Sequence, residues 1–223
     1  MMPDANFFGK VAGIISLVAF VPYILSILKG DAKPNQASWL IWTVVGGMLA
    51  ASYGESGGGD AIWVPISYVV GPLVIFTISL RHNDGEGWSG LNRLCILISA
   101  GSFVLWLVLS SVFGKVPGIP LTVMYVNIFI DGMGALPTIR KSFYEPESED
   151  RFTWMLFISG NTLNLFAVDH WSFATGSYPV YMFVACGTIA VLVVRPFVRS
   201  LVHNFVRVSE NKPIWIPARI NGW

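Results

Sequence analysis

One acidic residue, Asp131, lies in the middle of a long apolar stretch of this chain, YVNIFIDGMGALPT. A charged carboxylate at the centre of a bilayer costs about 2.5–3.5 kcal/mol on insertion scales, so we expect Asp131 to face a helical bundle interior. There it binds a substrate, couples transport to protons, or holds two helices together through a polar contact. Asn127 lies one turn before it and Thr138 two turns after it, so a polar stripe runs towards Pro137.

Two further amides follow in the next apolar stretch. Asn161 and Asn164 are spaced i and i+3 and therefore share one helix face. Buried amides need hydrogen-bond partners, which Asn127 or Asp131 could supply. Two interpretations remain open for this pair, namely contact with a polar substrate and adhesion between helices.

Catalytic and metal-binding patterns are missing from the sequence. We find no serine elbow, phosphate-binding loop or two-histidine motif, and we therefore predict that the protein is not an enzyme. Cys95 and Cys186 lack metal-ligand spacing, and Asp169-His170 has no further ligands, so we expect no metal and no cofactor. We likewise expect no nucleic acid among its partners.

The elements that must position these side chains are membrane helices. The 223 residues are 54% hydrophobic and 12% charged, whereas soluble domains carry roughly 25% charge. Several stretches of about 20 apolar residues match the roughly 30 Å of a bilayer core. We predict an all-α membrane protein with seven spans at about 7–28, 37–53, 60–80, 91–113, 118–140, 152–169 and 178–198.

The basic residues separate sharply on this topology. Of the 14 Lys and Arg, only Lys10 and Lys115 lie on the side of the N-terminus. The positive-inside rule then predicts a cell-membrane protein with its N-terminus outside and its C-terminus in the cytoplasm. After the last span, a basic amphipathic helix and a Trp-rich tail should lie at the cytoplasmic surface.

An internal repeat organises the chain. The segment 21–53 aligns without a gap on the segment 136–168, which places Pro22 on Pro137 and Trp39 on Trp154. Each copy has a proline near the end of one apolar helix, a charged loop, and a new helix opening on a hydroxyl residue and Trp. At the positions of the four polar residues named above, the first copy has Ala12, Ser16, Gly46 and Leu49.

Four regions follow from this repeat. We predict a first three-helix repeat at 1–80, a loop and linker helix at 81–117, a second three-helix repeat at 118–198, and a cytoplasmic segment and tail at 199–223. Because an even number of crossings separates their starts, the two repeats have the same orientation. Parallel repeats of this kind hold binding sites between them near the midplane.

The matched prolines, the charged loops and the Ser/Thr-x-x-aromatic helix starts resemble the PQ-loop superfamily, which includes the SWEET sugar transporters. The pairs here are Pro22-Tyr23 and Pro137-Thr138 rather than Pro-Gln. The resemblance, to an uncharacterised bacterial branch, implies a 3+1+3 fold and alternating access. Pro22 and Pro137 are then hinges or static kinks, and Trp39 and Trp154 are gates or interface anchors.

Two functions fit the sequence. The first is a transporter or facilitator that moves a small polar solute between the two repeats. The alternative is a non-transporting accessory or scaffold subunit of a larger membrane complex. The expected partners are the lipid bilayer, a small polar solute, and either further copies of this chain or a partner membrane subunit.

Overall fold

The computed structural model describes residues 4–82, 89–113 and 118–210. Every regular element in these ranges is helical, as the composition predicts. The α-helices are α1 (Ala5–Lys29), α2 (Gln36–Glu55), α3 (Trp63–Ser67), α4 (Gly71–His82), α5 (Gly90–Phe113), α6 (Ile119–Tyr144), α7 (Arg151–Leu165) and α8 (Phe173–Glu210). Two short 3-10 turns lie at Gly59–Ile62 and Pro146–Ser148.

Five stretches of helix are long and apolar enough to cross a membrane. They are Ala5–Lys29, Gly59–Arg81, Gly90–Phe113, Leu121–Tyr144 and Phe173–His203. The outer faces of these helices carry large exposed apolar side chains, which suits contact with lipid. By length and composition the chain is therefore a multi-pass helical membrane protein.

Two predicted spans, 37–53 and 152–169, coincide with helices that are not among these five. The helix α7 has 15 residues, and α2 has 20 residues with Gly46-Gly47 in its middle. Glycine lowers the helical preference of such a segment but lets a neighbouring backbone approach closely. Both helices begin where the repeat predicts them.

Side-chain caps fix where the helices begin. The carboxylate of Asp4 accepts a hydrogen bond from the Phe7 backbone N–H at 2.8 Å and caps α1. Asn35 caps α2 in the same way, and Asp150 caps α7 by accepting from Thr153 N at 2.7 Å. Gly30 ends α1 with a φ of 81°, a left-handed conformation that favours glycine.

The third predicted span, 60–80, is not one continuous helix. A 3-10 turn leads into α3, which ends at Ser67, and a new helix, α4, begins at Gly71. Pro72 provides no backbone N–H, so it suits the first turn of a new helix. A side chain at Gly71 would lie 2.4 Å from the ring of Phe20, and this close packing also explains the glycine there.

The helices pack in a reciprocal pattern. The helix α1 packs against α7, and α2 packs against α6. The helix α4 contacts both α1 and α2, while α8 contacts both α6 and α7. Small residues permit the closest approaches, since an added Cβ at Gly160 would lie 2.5 Å from Ser16 Oγ. The helix α5 packs mainly on α6.

The last helix differs from its prediction. The expected span at 178–198 and the separate amphipathic helix after it form one continuous helix, α8, which passes through Pro179 and Pro196. Three predicted features lie outside the described residues, namely the middle of the 81–90 loop, Lys115, and the Trp-rich tail after 210.

Candidate functional site

A cavity of about 40 Å³ lies inside the bundle and contains Asp131 on its wall. It lies among α2, α4, α6, α7 and α8, so both halves of the chain contribute to it. Six aromatic side chains belong to its wall, namely Trp39, Trp42, Tyr68, Trp154, Phe157 and Tyr178. Among the described residues, Asp131 is the one carboxylate on this wall, and no Lys, Arg or His lines it.

Asp131 is buried, as its position in the sequence predicts. The hydroxyl of Tyr181, on α8, donates a hydrogen bond to its Oδ2 atom. The indole Nε1 of Trp42, on α2, donates to its backbone carbonyl oxygen at 3.2 Å. Among the described residues, no basic side chain lies within ion-pair distance of this carboxylate. Asp131 is therefore held in place by neutral donors.

The matched tryptophans of the two repeat copies lie inside the bundle. Trp39 is 2% exposed and Trp154 is 3% exposed, and both line the cavity. Trp42 lies between them, with ring centroids 5.0 Å from Trp39 and 6.4 Å from Trp154. Their rings are thus part of the cavity wall and do not form a belt at the lipid surface.

The three asparagines do not line this cavity. Asn127 donates to the carbonyl of Met48 at 3.1 Å and to Ser52 Oγ at 2.9 Å, which ties α6 to α2. Asn161 donates to Phe157 O at 2.9 Å and to the hydroxyl of Tyr68 at 3.4 Å. Both asparagines are fully buried in helix contacts.

Asn164 is also fully buried, and neither amide atom has a hydrogen-bond partner among the described residues. Neither Asn161 nor Asn164 bonds to Asn127 or Asp131, so the partners predicted for this pair are not the ones observed. Of the four polar residues singled out in the sequence, only Asp131 lies on the cavity.

The two prolines lie inside continuous helices, Pro22 in α1 and Pro137 in α6. The residue after each proline is fully buried and bonds to the other half of the chain. Thr138 Oγ1 donates to Ser38 Oγ at 2.8 Å, and the Tyr23 hydroxyl donates to Glu149 Oε2 at 2.6 Å. The position that follows the proline therefore joins the two halves in both copies.

Glu149 is the residue that sequence reasoning missed. The acidic composition of segment 144–151 favours a solvated loop, or one that docks a cation or a partner, yet Glu149 is only 4% exposed. Lys141 Nζ lies 3.3 Å from its Oε1 atom, and Trp154 Nε1 donates to Oε2 at 3.0 Å. Together with Tyr23, these residues form what we call the Glu149 cluster, which adjoins the cavity through Trp154.

The burial of Glu149 has a local cause. The backbone N–H of Lys33 donates to the carbonyl of Ser148 at 2.8 Å, which ties the loop after α1 to the loop before α7. This contact holds the acidic loop over the helix ends. Lys141 is the signal that the sequence contains. It is a basic residue close to the end of a helix that also carries a buried polar stripe, but the acidic residues around Glu149 hide which of them is its partner.

Comparison with known proteins finds no match for this chain. No family model, no curated protein and no solved structure matches this chain. The fold and the site therefore define the class on their own, as a multi-pass helical membrane protein with a small aromatic cavity around one buried carboxylate.

Proposed function

We propose that this protein is a transporter or facilitator of a small polar solute, which passes through the cavity around Asp131. The observation that carries this proposal is the position of the cavity. Residues from both halves of the chain form its wall, and it holds a carboxylate that no basic side chain of the described residues approaches. Intramembrane carboxylates of this kind commonly mark substrate or proton pathways.

The helix contacts support a 3+1+3 arrangement. The first unit comprises α1 to α4, the second comprises α6 to α8, and α5 links them. The first helix of each unit packs against the second helix of the other, and the third packs between its two partners. A two-fold axis along the membrane normal would produce this reciprocity, which parallel-repeat transporters use for alternating access.

Seven crossings are compatible with the helix lengths. At a 1.5 Å rise per residue, the 20 residues of α2 extend for about 30 Å, enough to span the hydrocarbon. The 15 residues of α7 extend for about 22 Å and are continued by the turn after Leu165. With seven crossings, the distribution of Lys and Arg favours an inner-membrane protein with its N-terminus outside and its C-terminus in the cytoplasm.

Contacts between the two halves adjoin the cavity at two places. The Glu149 cluster reaches it through Trp154, which belongs to both the cluster and the cavity wall. Elsewhere Tyr53 packs against the wall residue Tyr178 with ring centroids 5.1 Å apart and donates to Thr175 O at 2.7 Å. In the proposed transport cycle these contacts are the two closures of an occluded state, the Glu149 cluster on the cytoplasmic side, and Pro22 and Pro137 would let either one open.

Flux through reconstituted vesicles tests this proposal. Purified protein in proteoliposomes is screened with radiolabelled amines, amino acids and sugars, and the solute that enters is then measured with Asp131→Asn. We expect uptake to fall about tenfold or more in this variant, the equivalent of one lost polar contact of about 1.4 kcal/mol. The exposed carboxylate of Asp169 provides the matched control, because Asp169→Asn should leave uptake unchanged.

A second function has one observation in its favour. Asn127, Asn161 and Asn164 are buried in contacts between helices rather than on a wet surface, as a non-transporting scaffold subunit would have them. Purification in a mild detergent separates the two proposals. A stoichiometric membrane partner that survives purification, together with no flux of any solute in the screen, would favour the scaffold.

A further inference from the structure

We infer that the cavity around Asp131 binds a small organic cation of the amine or guanidinium class. As a statement about the transported solute, this inference rests on the proposed function. As a statement about binding, it depends only on the cavity and can be tested separately.

Charge balance is the first step. Asp131 is the one carboxylate on the cavity wall, and among the described residues no basic group approaches it. A buried charge that lacks a partner is strongly unfavourable, so a proton or a cation from outside the protein must balance this carboxylate. The chain does form a buried ion pair elsewhere, between Lys141 and Glu149, so the missing partner is specific to this cavity.

The hydrogen-bonding capacity of the carboxylate is the second step. Tyr181 donates to Oδ2, while Oδ1 receives no hydrogen bond from the described residues. A carboxylate oxygen has room for a charge-assisted bond from an N–H donor. The phenol of Tyr181 fixes the orientation of the carboxylate and leaves its other oxygen for a ligand.

The aromatic wall is the third step. The faces of Trp, Tyr and Phe rings carry partial negative charge and attract cations, with Trp the strongest. Trp42 lies next to Asp131, and the rings of Trp154 and Phe157 continue the wall with centroids 5.5 Å apart. A cavity with one carboxylate, several aromatic faces and no basic side chain repels anions and favours a cation.

Size restricts the ligand further. A water molecule needs roughly 10–15 Å³, so a cavity of about 40 Å³ accepts a ligand of only a few heavy atoms in this conformation. A hexose does not fit, and the wall also lacks the many polar groups that would recognise its hydroxyls. Methylammonium and guanidinium have suitable size and charge, and a longer amine would need one end of the cavity to open.

Binding to the purified full-length protein tests the inference. Guanidinium chloride and urea are nearly identical in shape and differ in charge, so we propose to titrate both at low millimolar concentration against sodium chloride. Three tryptophans on the wall provide a fluorescence readout, and thermal unfolding provides a second. We expect guanidinium and methylammonium to change both readouts saturably, and urea and sodium chloride to change neither.

Variants identify the group responsible. Asp131→Asn should weaken guanidinium binding about tenfold or more, while Asp169→Asn should bind like the native protein. Tyr181→Phe keeps the charge of Asp131 and should still bind, so it serves if Asp131→Asn fails to fold. Equal responses to urea and guanidinium in the native protein would overturn the inference without any variant, and so would undiminished binding in Asp131→Asn.

The two proposals can fail independently. If guanidinium binds but no solute crosses proteoliposomes, transport is rejected and the cation site stands. If a neutral solute is transported equally well with Asp131→Asn and guanidinium does not bind the native protein, transport stands and the cation site is rejected.

Discussion

The hydroxyl of Tyr23 donates a 2.6 Å hydrogen bond to the buried carboxylate of Glu149, 126 residues further along the chain. The same carboxylate pairs with Lys141 and accepts from Trp154. Donors from α1, α6 and α7 thus meet on one acidic side chain. Because these helices belong to both halves, this group of contacts joins the two halves beside the cavity.

The Lys141–Glu149 pair should be strongly coupled. Removing one partner of a buried ion pair leaves an uncompensated charge, so Lys141→Met should lower the free energy of unfolding by about 3–5 kcal/mol. Adding Glu149→Gln removes that charge and should recover part of the loss. Denaturant unfolding in mixed micelles, analysed as a double-mutant cycle, measures this coupling, and simple additivity of the two substitutions would contradict it.

Access to Cys186 should report opening of the cavity on the side of the Glu149 cluster. Cys186 is 5% exposed and lies on the cavity wall. A hydrogen bond to a charged group contributes about 1.5–3 kcal/mol, so Tyr23→Phe should make the open form roughly ten- to a hundredfold more populated. A charged thiol reagent added from the side of the membrane that the Glu149 cluster faces should then modify Cys186 faster.

The outer end provides the matched control for this experiment. Tyr53→Phe removes the bond to Thr175 O and should speed modification of Cys186 only from the opposite side of the membrane. The buried Cys95 should react slowly in both variants. If Tyr23→Phe changes the labelling of both cysteines equally, the protein has loosened generally and the cluster is not a closure.

Alanine substitution at two adjacent glycines in α2 should change the stability of the protein in different ways. A Cβ at Gly46 would lie 2.4 Å from the carbonyl oxygen of Tyr68, whereas one at Gly47 meets nothing within 4 Å. Gly46→Ala should therefore destabilise the protein by about 1–3 kcal/mol through overpacking. Gly47→Ala should be neutral or stabilising by about 0.5–1 kcal/mol. Thermal unfolding measures both, and an equal response would mean that α2 and the break after α3 are not in close contact.

Two buried asparagines should also differ. Asn127→Leu removes two hydrogen bonds between α6 and α2, and should cost about 1–2 kcal/mol at the strengths typical of membrane helices. Asn164→Leu removes an amide that has no partner among the described residues, so it should be neutral or stabilising. The unfolding free energies of the two variants compare them directly, and a large loss in Asn164→Leu would show that its amide is satisfied.

Much of the helical framework could be predicted because hydrophobic runs and caps are local. The starts of α2 and α7 follow from Asn35 and Asp150, which cap the backbone a few residues away. The burial of Asp131 follows from the cost of a charge in lipid. The break after Ser67 was missed because its cause is the neighbouring ring of Phe20 and the close backbone of α2, which are distant in sequence.

The polar residues also show which features follow from local sequence and which depend on contacts between distant elements. Asn127, Asp131 and Asn161 repeat on helix faces, so the sequence indicates that they are buried, but it does not indicate which of them borders a cavity. That depends on Trp42 and Tyr181, whose approach to Asp131 comes from other helices. Glu149 lies among acidic neighbours, and only the docking of two loops places it out of water.

The hydrogen bonds that the residues after Pro22 and Pro137 make to the opposite half also limit whether one repeat copy could replace the other. The alignment that places Tyr23 on Thr138 places Pro34 on Glu149, so the first copy has the phenol but no carboxylate at the position of Glu149. A symmetric dimer built from two first copies would present Tyr23 to a proline, and one built from two second copies would present Thr138 to the carboxylate. Each half of the chain therefore complements the other half and not a second copy of itself. Because both halves belong to one polypeptide, they are always present in equal number.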